Sequence, residues 1–423
     1  MAAVSRHLLP VNSAVDNSGA LSIAGCDVAE LASNFGTPLF VYDEDHIRAN
    51  CRALISAFGA DNVVYATKAF LCKEMARVVH DEGLMLDVAS GGELFVALSA
   101  GVPANRCVLH GNNKSDQEII EAIQAGVHHI VVDSFDEIDR IEAIHVTGLP
   151  APRVQLRITP GVHVHTHDYV STGQDDSKFG FNLANGDALR AVERCRASNA
   201  VELVGLHCHI GSQVFSAENF ATAARTMVDF FAPLGLEQLT LGGGLGVAYM
   251  NDEITPTFGE WSRALVTATQ DLPTHVRVIV EPGRAVVAAT SVTVYTVGTV
   301  KDIAGVRKYI SVDGGMSDNP RPMMYGSGYE AFDPARVDAD RPDSARIVGK
   351  HCESGDIVIA DASVPTGVKV GDLMVTPVTG AYGYSMASNY NKIARPAVVF
   401  VRGGAARIVV RRETYDDLTR LDA

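Results

Sequence analysis

The chain has 423 residues, of which 47% are hydrophobic and 20% are charged, a composition typical of globular proteins with a large core. That composition excludes a disordered chain, a collagen-like fibre and a small disulfide scaffold. Acidic residues outnumber basic residues by 50 to 35, so the formal net charge is −15. A surface this negative repels phosphate backbones and anionic lipids, so we expect neither nucleic-acid nor membrane binding.

Seven cysteines are spread along the chain, and no two of them form a CxxC pair. Their odd number, in a chain of this length, favours free thiols in a reducing compartment over a disulfide framework. The first residues, MAAVSRHLLPVN, contain no apolar run long enough for a signal peptide. We therefore expect a cytoplasmic protein.

From about residue 60 to residue 283, short β-branched runs alternate with amphipathic stretches. Most of the runs are almost continuously hydrophobic, as expected for parallel strands buried on both faces. The eight runs are VVYATKA (63–69), LMLDVAS (84–90), CVLHGN (107–112), HIVVDS (129–134), RVQLRI (153–158), LVGLHCHI (203–210), LEQLTLGGG (236–244) and VRVIVEPG (276–283). This alternation predicts an α/β fold with a closed (β/α)8 barrel of the TIM type, although spacing alone also allows an open doubly wound sheet.

Two connections in this region stand out. Ser115 is predicted to cap a helix, with Glu118 completing a capping box and Gly126 ending that helix. The connection 159–185, about 27 residues rich in His, Asp and Gly, is far longer than the others. Loops of that length in a compact domain are usually functional.

After about residue 290 the pattern changes to alternating strands with turn signals and little helical period. The runs are SVTVYTVGTV, KYISVDGG, ESGDIVIA, AVVFVRGG and ARIVVRRE. They predict an antiparallel β-sandwich or β-barrel domain. The first 35 residues do not begin the barrel pattern, so we expect them to pack on this second domain. The predicted division is therefore 36–290 for the barrel and 1–35 plus 291–423 for the β domain.

Polar residues recur at the C-terminal ends of the predicted barrel strands, where active sites of such barrels lie. In strand order they are Lys68; Asp87 and Ser90; His110 and Asn112; Arg157; His207, His209, Ser212 and Gln213; Gly242 to Gly244; and Glu281 with Arg284. One such coincidence would mean little, but its repetition around the ring predicts the position of the site.

Three motifs at these ends have both a functional and a structural interpretation. Burial beside a strand would lower the pKa of Lys68 and make it a competent amine for imine formation, whereas a salt bridge, for example to Asp87, would make it structural. The turn GGGLG lets backbone N–H groups approach a phosphate, or is simply a tight turn. EPGR offers a carboxylate and a guanidinium to a ligand, or an internal ion pair.

The segment HCHIGSQ could be mistaken for a metal site. Strand alternation places Cys208 on the opposite face from His207 and His209, and two histidines are too few for a zinc site. We therefore predict no metal. Three segments of the β domain also contain candidate residues, namely HCESGD with Cys352 and Glu353, RPMMYG, and GAYGYSMASNYN. Taken singly, each segment is better explained by a structural role.

Seven segments follow one another along the chain, namely YATKA, HCHIGSQ, GGGLG, EPGR, RPMMYG, CESGD and GAYGY. In their order and spacing, the chain resembles the fold-type III pyridoxal-phosphate decarboxylases, most closely the bacterial diaminopimelate decarboxylases. The loop HTHDYVSTGQDDSKFGF also resembles that subfamily. The likeness runs from about residue 35 to residue 400. It implies an α/β barrel followed by a β domain, in agreement with the pattern described above.

The resemblance implies a role for each matching residue. Lys68 would hold pyridoxal phosphate as an imine, His209 would stack on its ring, and Glu281 would bind its pyridine nitrogen. The residues implied to bind the cofactor are Lys68, Asp87, His209, Ser212, Gly243, Gly244, Glu281, Gly283, Arg284 and Tyr382. Those implied to bind substrate are Arg284, Arg321, Tyr325, Glu353 and Tyr382. Cys352 would protonate the carbanion, and in this family Cys352 and Glu353 reach the site from the partner subunit, which implies a homodimer with shared active sites.

The activity implied is decarboxylation of meso-2,6-diaminopimelate to L-lysine and carbon dioxide. A carboxylate at position 281 keeps the pyridine nitrogen protonated, which suits decarboxylation, whereas an arginine there would suit racemisation better. Three alternatives stay open. They are a relative acting on ornithine, arginine or a carrier-bound amino acid, an alanine-racemase-like enzyme, and a non-enzymatic pyridoxal-phosphate-binding regulatory barrel.

Overall fold

The structure, a computed structural model, describes residues 3–161 and 176–423. Most of the long connection 159–185, including His165, His167 and much of the loop resembling diaminopimelate decarboxylases, therefore lies outside the described residues. The chain divides into two compact units. One unit comprises Asn50–Gly246 and Thr255–Ala285, and the other comprises Met1–Ala49, Val247–Ile254 and Val286–Ala423.

The first unit is built on eight parallel strands, each matching one of the eight predicted runs. They are Val64–Ala66, Met85–Val88, Cys107–Leu109, His129–Val132, Arg153–Thr159, Glu202–Cys208, Gln238–Thr240 and Arg277–Ile279. Each strand pairs with the next one along the chain. A short strand, Phe181–Asn182, pairs in parallel with Arg153–Thr159.

The first and last strands meet, so the sheet closes on itself. Val63 and Val280 form a parallel bridge. The backbone N–H of Val64 donates to the carbonyl of Val280 at 2.9 Å, and that of Ala66 donates to the carbonyl of Pro282 at 3.1 Å. This confirms the closed barrel and excludes the open doubly wound sheet.

The barrel strands bury an apolar core, which is the main stabilising contribution to a fold of this kind. Side chains from five strands form one buried cluster, namely Val64, Met85, Val108, Val131 and Ile279. A polar pair shares the interior, since the Gln155 amide Nε2 donates to Gln238 Oε1 at 3.0 Å. Hydrogen bonding of this kind satisfies polar groups that would otherwise be costly to bury.

Helices connect successive strands, as the amphipathic stretches predict. They are Lys73–Asp81, Gly91–Ser99, Asp116–Ala125, Phe135–Val146, Asp187–Ala197, Ala217–Phe231 and Phe258–Thr269, with Glu44–Phe58 before the first strand and Arg284–Val287 after the last. The predicted capping box at Ser115 and Glu118 is present, and Gly126 ends that helix in the left-handed conformation. Each βα connection begins at the C-terminal end of a strand, where the candidate residues lie.

The second unit contains a largely antiparallel sheet. In spatial order its strands are Ile357–Val364, Asp343–Val348, Arg307–Val312, Ser291–Ile303, Leu39–Asp43, Ala397–Arg402 and Ala405–Val410, with Leu373–Pro377 also pairing with Ser291–Ile303. Two neighbouring pairs are parallel, Arg307–Val312 with Asp343–Val348 and Leu39–Asp43 with Ala397–Arg402. The unit also contains helices Val28–Phe35, Arg321–Tyr325 and Tyr415–Thr419.

The N-terminal residues belong to this second unit. Strands Ser13–Val15, Leu21–Ile23 and Cys26–Asp27 form a small antiparallel sheet. The N–H of Leu21 donates to the carbonyl of Pro334 at 2.8 Å, and the N–H of Gly404 donates to the carbonyl of Ala24 at 2.7 Å. These bonds join the start of the chain to its last third.

The division between units differs from the predicted boundary at residue 36. The predicted barrel range 36–290 includes the strand Leu39–Asp43, and all five of its residues are buried. Its partners, however, are Ser291–Ile303 and Ala397–Arg402, so it lies in the middle of the second sheet.

Within the described ranges, no helix combines the length and the apolar character needed to cross a membrane.

Candidate active site

Lys68 lies in a short 3-10 turn, Thr67–Ala69, directly after the first barrel strand. The Thr67 hydroxyl donates to the carbonyl of Asp87 at 2.7 Å and ties this turn to the second strand. The Lys68 side chain is exposed. The expectation that burial beside the strand would desolvate this amine is therefore wrong, because the strand ends at Ala66 and Lys68 lies beyond it.

His209 follows the sixth barrel strand and is partly exposed. Its Nδ1 accepts a hydrogen bond from the backbone N–H of Gly243 at 3.3 Å. Burial and the nearby Lys68 cation lower the pKa of His209 well below its ordinary value, so its imidazole is neutral at neutral pH. A neutral ring suits stacking against a flat aromatic ligand.

The glycine turn after the seventh strand packs directly against neighbouring backbone. Gly242 and Gly244 have φ angles of +64° and +106°. A Cβ at Gly243 would lie 2.0 Å from the carbonyl oxygen of Glu281, and one at Gly244 would lie 2.1 Å from that of Gly211. Only glycine fits these positions, and the turn presents backbone rather than side chains.

Arg284 and Ser212 form a polar pair from the connections that follow the eighth and the sixth barrel strands. The buried Arg284 guanidinium donates through Nη2 to Ser212 Oγ at 3.0 Å. Gln213, the next residue, has a φ of +59°, which is uncommon for a non-glycine side chain and recurs at functional sites. Gly283 approaches the first strand closely, since a Cβ there would lie 3.0 Å from Ala66.

Glu281 is buried at the end of the last strand, and two histidines contact its carboxylate. His207 Nε2 lies 2.8 Å from Oε2, and His110 Nε2 lies 3.0 Å from Oε1. Burial would raise the pKa of Glu281, but the two histidines hold this pKa well below its ordinary value. Asp87 joins the group, because its Oδ1 lies 3.9 Å from His110 Nε2. Glu281 is therefore an anion at neutral pH.

The arrangement around Glu281 could not be read from the sequence. His110 stands 97 positions before His207, so the count of two histidines at HCHIGSQ overlooked it. Among the described residues, His110, His207 and Glu281 form a group whose ligand atoms all lie within 4.8 Å of one another, close enough to hold a metal ion. The only signal for this grouping was that each residue follows a predicted strand.

In the second unit, Arg321 is the most enclosed of the predicted substrate-binding residues, with 3% of its surface exposed. Its guanidinium lies 4.1 Å from the centre of the Tyr249 ring and donates to the Tyr329 hydroxyl. The two rings meet edge to face at 5.3 Å. Both tyrosines orient the guanidinium, and sequence reasoning missed both because neither belongs to a motif.

Tyr325 and Tyr382 lie in the same unit as Arg321, and both are partly exposed. Tyr325 ends the short helix that begins at Arg321, and Gly326 caps it in the left-handed conformation. Tyr382 has a φ of +58° and contributes to raising the pKa of Arg321, although burial acts in the opposite direction. The guanidinium of Arg321 is permanently charged at neutral pH.

Cys352 and Glu353 lie on an exposed turn of the second unit. The backbone N–H of Cys352 donates to Asn391 Oδ1 at 3.2 Å. The carbonyl of Glu353 accepts the N–H of Asp356 at 3.1 Å, and Glu353 Oε1 accepts the N–H of Gly355 at 3.3 Å. Backbone bonds therefore fix the turn while the Cys352 thiol stays exposed.

Comparison with known proteins identifies the family. The family described as pyridoxal-dependent decarboxylase, pyridoxal binding domain, matches residues 44–288. The diaminopimelate decarboxylase of Mycobacterium tuberculosis is 48% identical, with 98% of each chain covered. The chain belongs to the pyridoxal-dependent decarboxylases, among the diaminopimelate decarboxylases.

Two further members of this family are similar over nearly the whole length. The diaminopimelate decarboxylase of Bacillus subtilis is 45% identical, covering 96% of this chain and 95% of its own. The crystal structure of the M. jannaschii diaminopimelate decarboxylase in complex with L-lysine superposes with a TM-score of 0.90 at 33% identity, covering 98% of each chain. The likeness includes the second unit, which a barrel-only regulatory protein would lack.

The family's cofactor is pyridoxal phosphate, and the donor set at the barrel strand ends fits it. Arg284 and Ser212 offer a cation and a hydroxyl for a phosphate, next to a turn that only glycine can form. Glu281 offers an anionic carboxylate for a protonated pyridine nitrogen, and Lys68 offers an exposed amine for the aldehyde. Each chemical group of the cofactor thus has a complementary group in this unit.

Proposed function

We propose that this chain decarboxylates meso-2,6-diaminopimelate to L-lysine and carbon dioxide, with pyridoxal phosphate as cofactor. The observation that carries the proposal is the anionic Glu281 held by two histidines at the end of a barrel strand. An anion there keeps the pyridine nitrogen protonated, which is the condition for decarboxylation. The names of the relatives and the L-lysine bound to the M. jannaschii enzyme support this substrate over ornithine or arginine.

The barrel residues would hold the cofactor. Lys68 binds it covalently through its amine, His209 stacks on its ring, and Glu281 binds the pyridine N–H. The phosphate and the edges of the ring would be held by the remaining barrel residues of the set, which are Asp87, Ser212, Gly243, Gly244, Gly283 and Arg284, and by Tyr382 of the second unit. When bound, pyridoxal phosphate supplies an electron sink for the pair left on Cα as carbon dioxide departs.

Substrate recognition depends on the charge at both ends of diaminopimelate. Arg321 binds the distal carboxylate, and its planar guanidinium is suited to a two-point contact. Glu353 binds the distal ammonium, while Tyr325 and Tyr382 donate from their hydroxyls. An arginine for the far carboxylate would be superfluous in an ornithine or lysine decarboxylase, since those substrates lack that group.

Cys352 would deliver the proton that replaces the departing carboxylate at Cα. General acid catalysis of this kind is worth roughly 10²–10⁴-fold in rate. Cys352→Ala should therefore lower kcat by about that factor while KM changes little, with Cys26→Ala as the control in the same unit. Unchanged turnover in the Cys352 variant would remove this assignment.

We further propose a homodimer in which Cys352 and Glu353 serve the active site of the partner subunit. The family resemblance supports this arrangement, as do the exposed positions of both residues in the single chain. Mixing inactive Lys68→Ala protein with inactive Cys352→Ala protein should restore about a quarter of wild-type activity, because half the dimers then carry one intact site. No recovery after subunit exchange, verified by native mass spectrometry, would contradict shared sites.

We place the enzyme in the cytoplasm. All seven cysteines lie in the described residues, none of them forms a disulfide, and all but Cys352 are buried. Free thiols in this number are typical of reducing compartments. Fractionation of cells producing the tagged chain should recover it with cytosolic markers, and recovery with an oxidising compartment would contradict the assignment.

One assay tests the activity. Purified protein with added pyridoxal phosphate is offered meso-diaminopimelate, ornithine, lysine and alanine separately, and carbon dioxide and product amino acids are measured. We expect carbon dioxide and L-lysine from diaminopimelate alone. Turnover of ornithine or lysine instead would favour the alternative decarboxylase, and racemisation of alanine would contradict decarboxylation altogether.

A further inference from the structure

The carboxylate of Glu281 lies between two histidines, and each of its oxygens faces a different one. His207 Nε2 contacts Oε2 at 2.8 Å, and His110 Nε2 contacts Oε1 at 3.0 Å. All three side chains are at least nine-tenths buried, and the two imidazole rings meet edge to face at 5.1 Å. The function proposed above uses the carboxylate that these histidines hold, but it does not say what each histidine contributes.

The two histidines experience different electrostatic surroundings. Burial would lower the pKa of His110, but the carboxylates of Asp87 and Glu281 raise it above its ordinary value against the opposing charge of Arg157. Burial lowers the pKa of His207 to about 4, although Glu281 acts in the opposite direction. His129, which also faces the group, has a pKa well below its ordinary value because of burial. His110 therefore favours the cationic form, whereas His207 is neutral at neutral pH.

We propose that His110 and His207 are positioning residues that fix both oxygens of Glu281 and maintain it as the anion that pairs with the pyridine N–H of the cofactor. His207 acts as a neutral N–H donor, so its shape and donor atom matter. His110 acts through its positive charge. A carboxylate offers about four lone-pair positions, so two histidines leave room for a third donor. This inference rests on the proposed function.

The division of labour makes a prediction that a merely structural role would not make. A glutamine at position 207 keeps an N–H donor, so His207→Gln should keep Glu281 paired with the pyridine N–H, whereas His207→Phe should lose this pairing. At position 110 the positive charge is needed, so His110→Gln and His110→Phe should both lose the pairing of Glu281 with the pyridine N–H. If the histidines only filled space in the barrel, size would decide, and the pattern would be the same at both positions.

The experiment measures the pyridine nitrogen directly. The four holoenzyme variants are loaded with pyridoxal phosphate labelled with ¹⁵N in the ring, and the nitrogen signal is followed by NMR from about pH 6 to about pH 9, together with kcat and KM. Wild type and His207→Gln should keep the pyridine nitrogen protonated to a higher pH than the other three variants do. The other three should lose the proton towards high pH and show a kcat roughly 10–100-fold lower at nearly unchanged KM, as when a partner of a functional ligand is removed.

Gln155→Leu is the matched control. Gln155 is a buried polar residue of the same barrel whose amide bonds Gln238 rather than Glu281. Its removal should perturb stability without moving the nitrogen signal. If the phenylalanine variants do not fold, the two glutamine variants still separate the donor role of His207 from the charge role of His110.

Three results would overturn the inference. The first is an unchanged nitrogen signal in all variants whose kcat falls. The second is equal loss of the proton in His207→Gln and His207→Phe. The third is stoichiometric Zn²⁺ binding by the wild-type apoenzyme that His110→Gln abolishes, since two histidines and a carboxylate are also zinc ligands. Failure of the proposed function would look different, because the wild type would then release no carbon dioxide from diaminopimelate.

Discussion

Two buried carboxyl groups, one in each unit, have opposite charge preferences. In the barrel, His110 and His207 hold the pKa of Glu281 well below its ordinary value despite burial. In the second unit, burial raises the pKa of Asp318 to about 7, and Asp313 and Asp356 add to that rise. Asp318 nevertheless accepts hydrogen bonds from the Tyr295 hydroxyl at 2.6 Å and the Gly315 N–H at 2.7 Å.

The difference shows that burial raises the pKa of both carboxyl groups, and that neighbouring charges decide whether this rise is overcome. Two histidines make Glu281 a fixed anion suited to a cationic ring nitrogen. Burial and two further carboxylates make the ionised form of Asp318 costly. The barrel thus holds an anionic carboxyl at a strand end, whereas the second unit holds the enclosed guanidinium of Arg321 and the exposed turn with Cys352 and Glu353.

The largest effect should come from removing the amine that the barrel presents. Lys68→Ala should lower kcat by at least about 10³-fold, because covalent catalysis is lost. Borohydride treatment followed by mass spectrometry should show no covalent cofactor, while Lys73→Ala, altered in the following helix, should behave as wild type. Covalent fixation of the cofactor in the Lys68 variant would contradict the assignment.

The second largest effect should come from removing the charge of Glu281 in the barrel. Glu281→Gln keeps the shape and removes the charge, so kcat should fall roughly 10²–10³-fold, the size found when a preorganised electrostatic contact is lost. Glu281→Asp should recover part of the rate, since it restores an anion at a shorter reach. Equal rates for the glutamine variant and the wild type would show that the anion is not needed.

Arg321 tests what the second unit contributes. Arg321→Lys keeps the charge but loses the planar fork, so KM for diaminopimelate should rise about 10–100-fold with a smaller change in kcat. Tyr329→Phe, which removes only the hydroxyl that orients the guanidinium, should raise KM by less than about tenfold. A larger effect from the tyrosine than from the arginine would contradict this order.

The charge preference of Asp318 in the second unit can be tested through the pH dependence of the protein's stability. Because its folded pKa of about 7 exceeds the ordinary value of 3.8, the folded state binds the proton more tightly, and stability falls as pH rises between these values. Asp318→Asn cannot ionise, so its Tm relative to wild type should increase from pH 5 to pH 7 by a few degrees. A Tm difference that is the same at both pH values would show that Asp318 does not titrate in this range.

The barrel could be predicted from the sequence because its signals are local. Each strand is a β-branched run followed by a helix, and each candidate polar residue stands at the end of its own run, as at Asp87 and Glu281. Even the cap at Ser115 follows from residues three positions apart. Local periodicity and spacing are properties that a sequence displays directly.

What could not be predicted depends on contacts between distant residues. Leu39–Asp43 pairs with Ala397–Arg402, more than 350 positions away, and nothing in its own residues separates that partner from a barrel strand. His110 joins His207 and Glu281 in the barrel across gaps of 97 and 171 positions. The exposure of Lys68 could not be predicted either, because it depends on the exact residue at which the strand ends. Lys68 lies two residues beyond that end, so its amine is exposed rather than buried.

The most direct test of the account follows single atoms through the reaction. Holoenzyme is incubated in D₂O with meso-diaminopimelate labelled with ¹³C in both carboxylates, and the products are examined by NMR and mass spectrometry. The account predicts one labelled carbon dioxide per L-lysine, one labelled carboxylate retained, and a single deuterium on the carbon that lost the other. Deuterium entering diaminopimelate without release of carbon dioxide, or loss of both carboxylates, would contradict it.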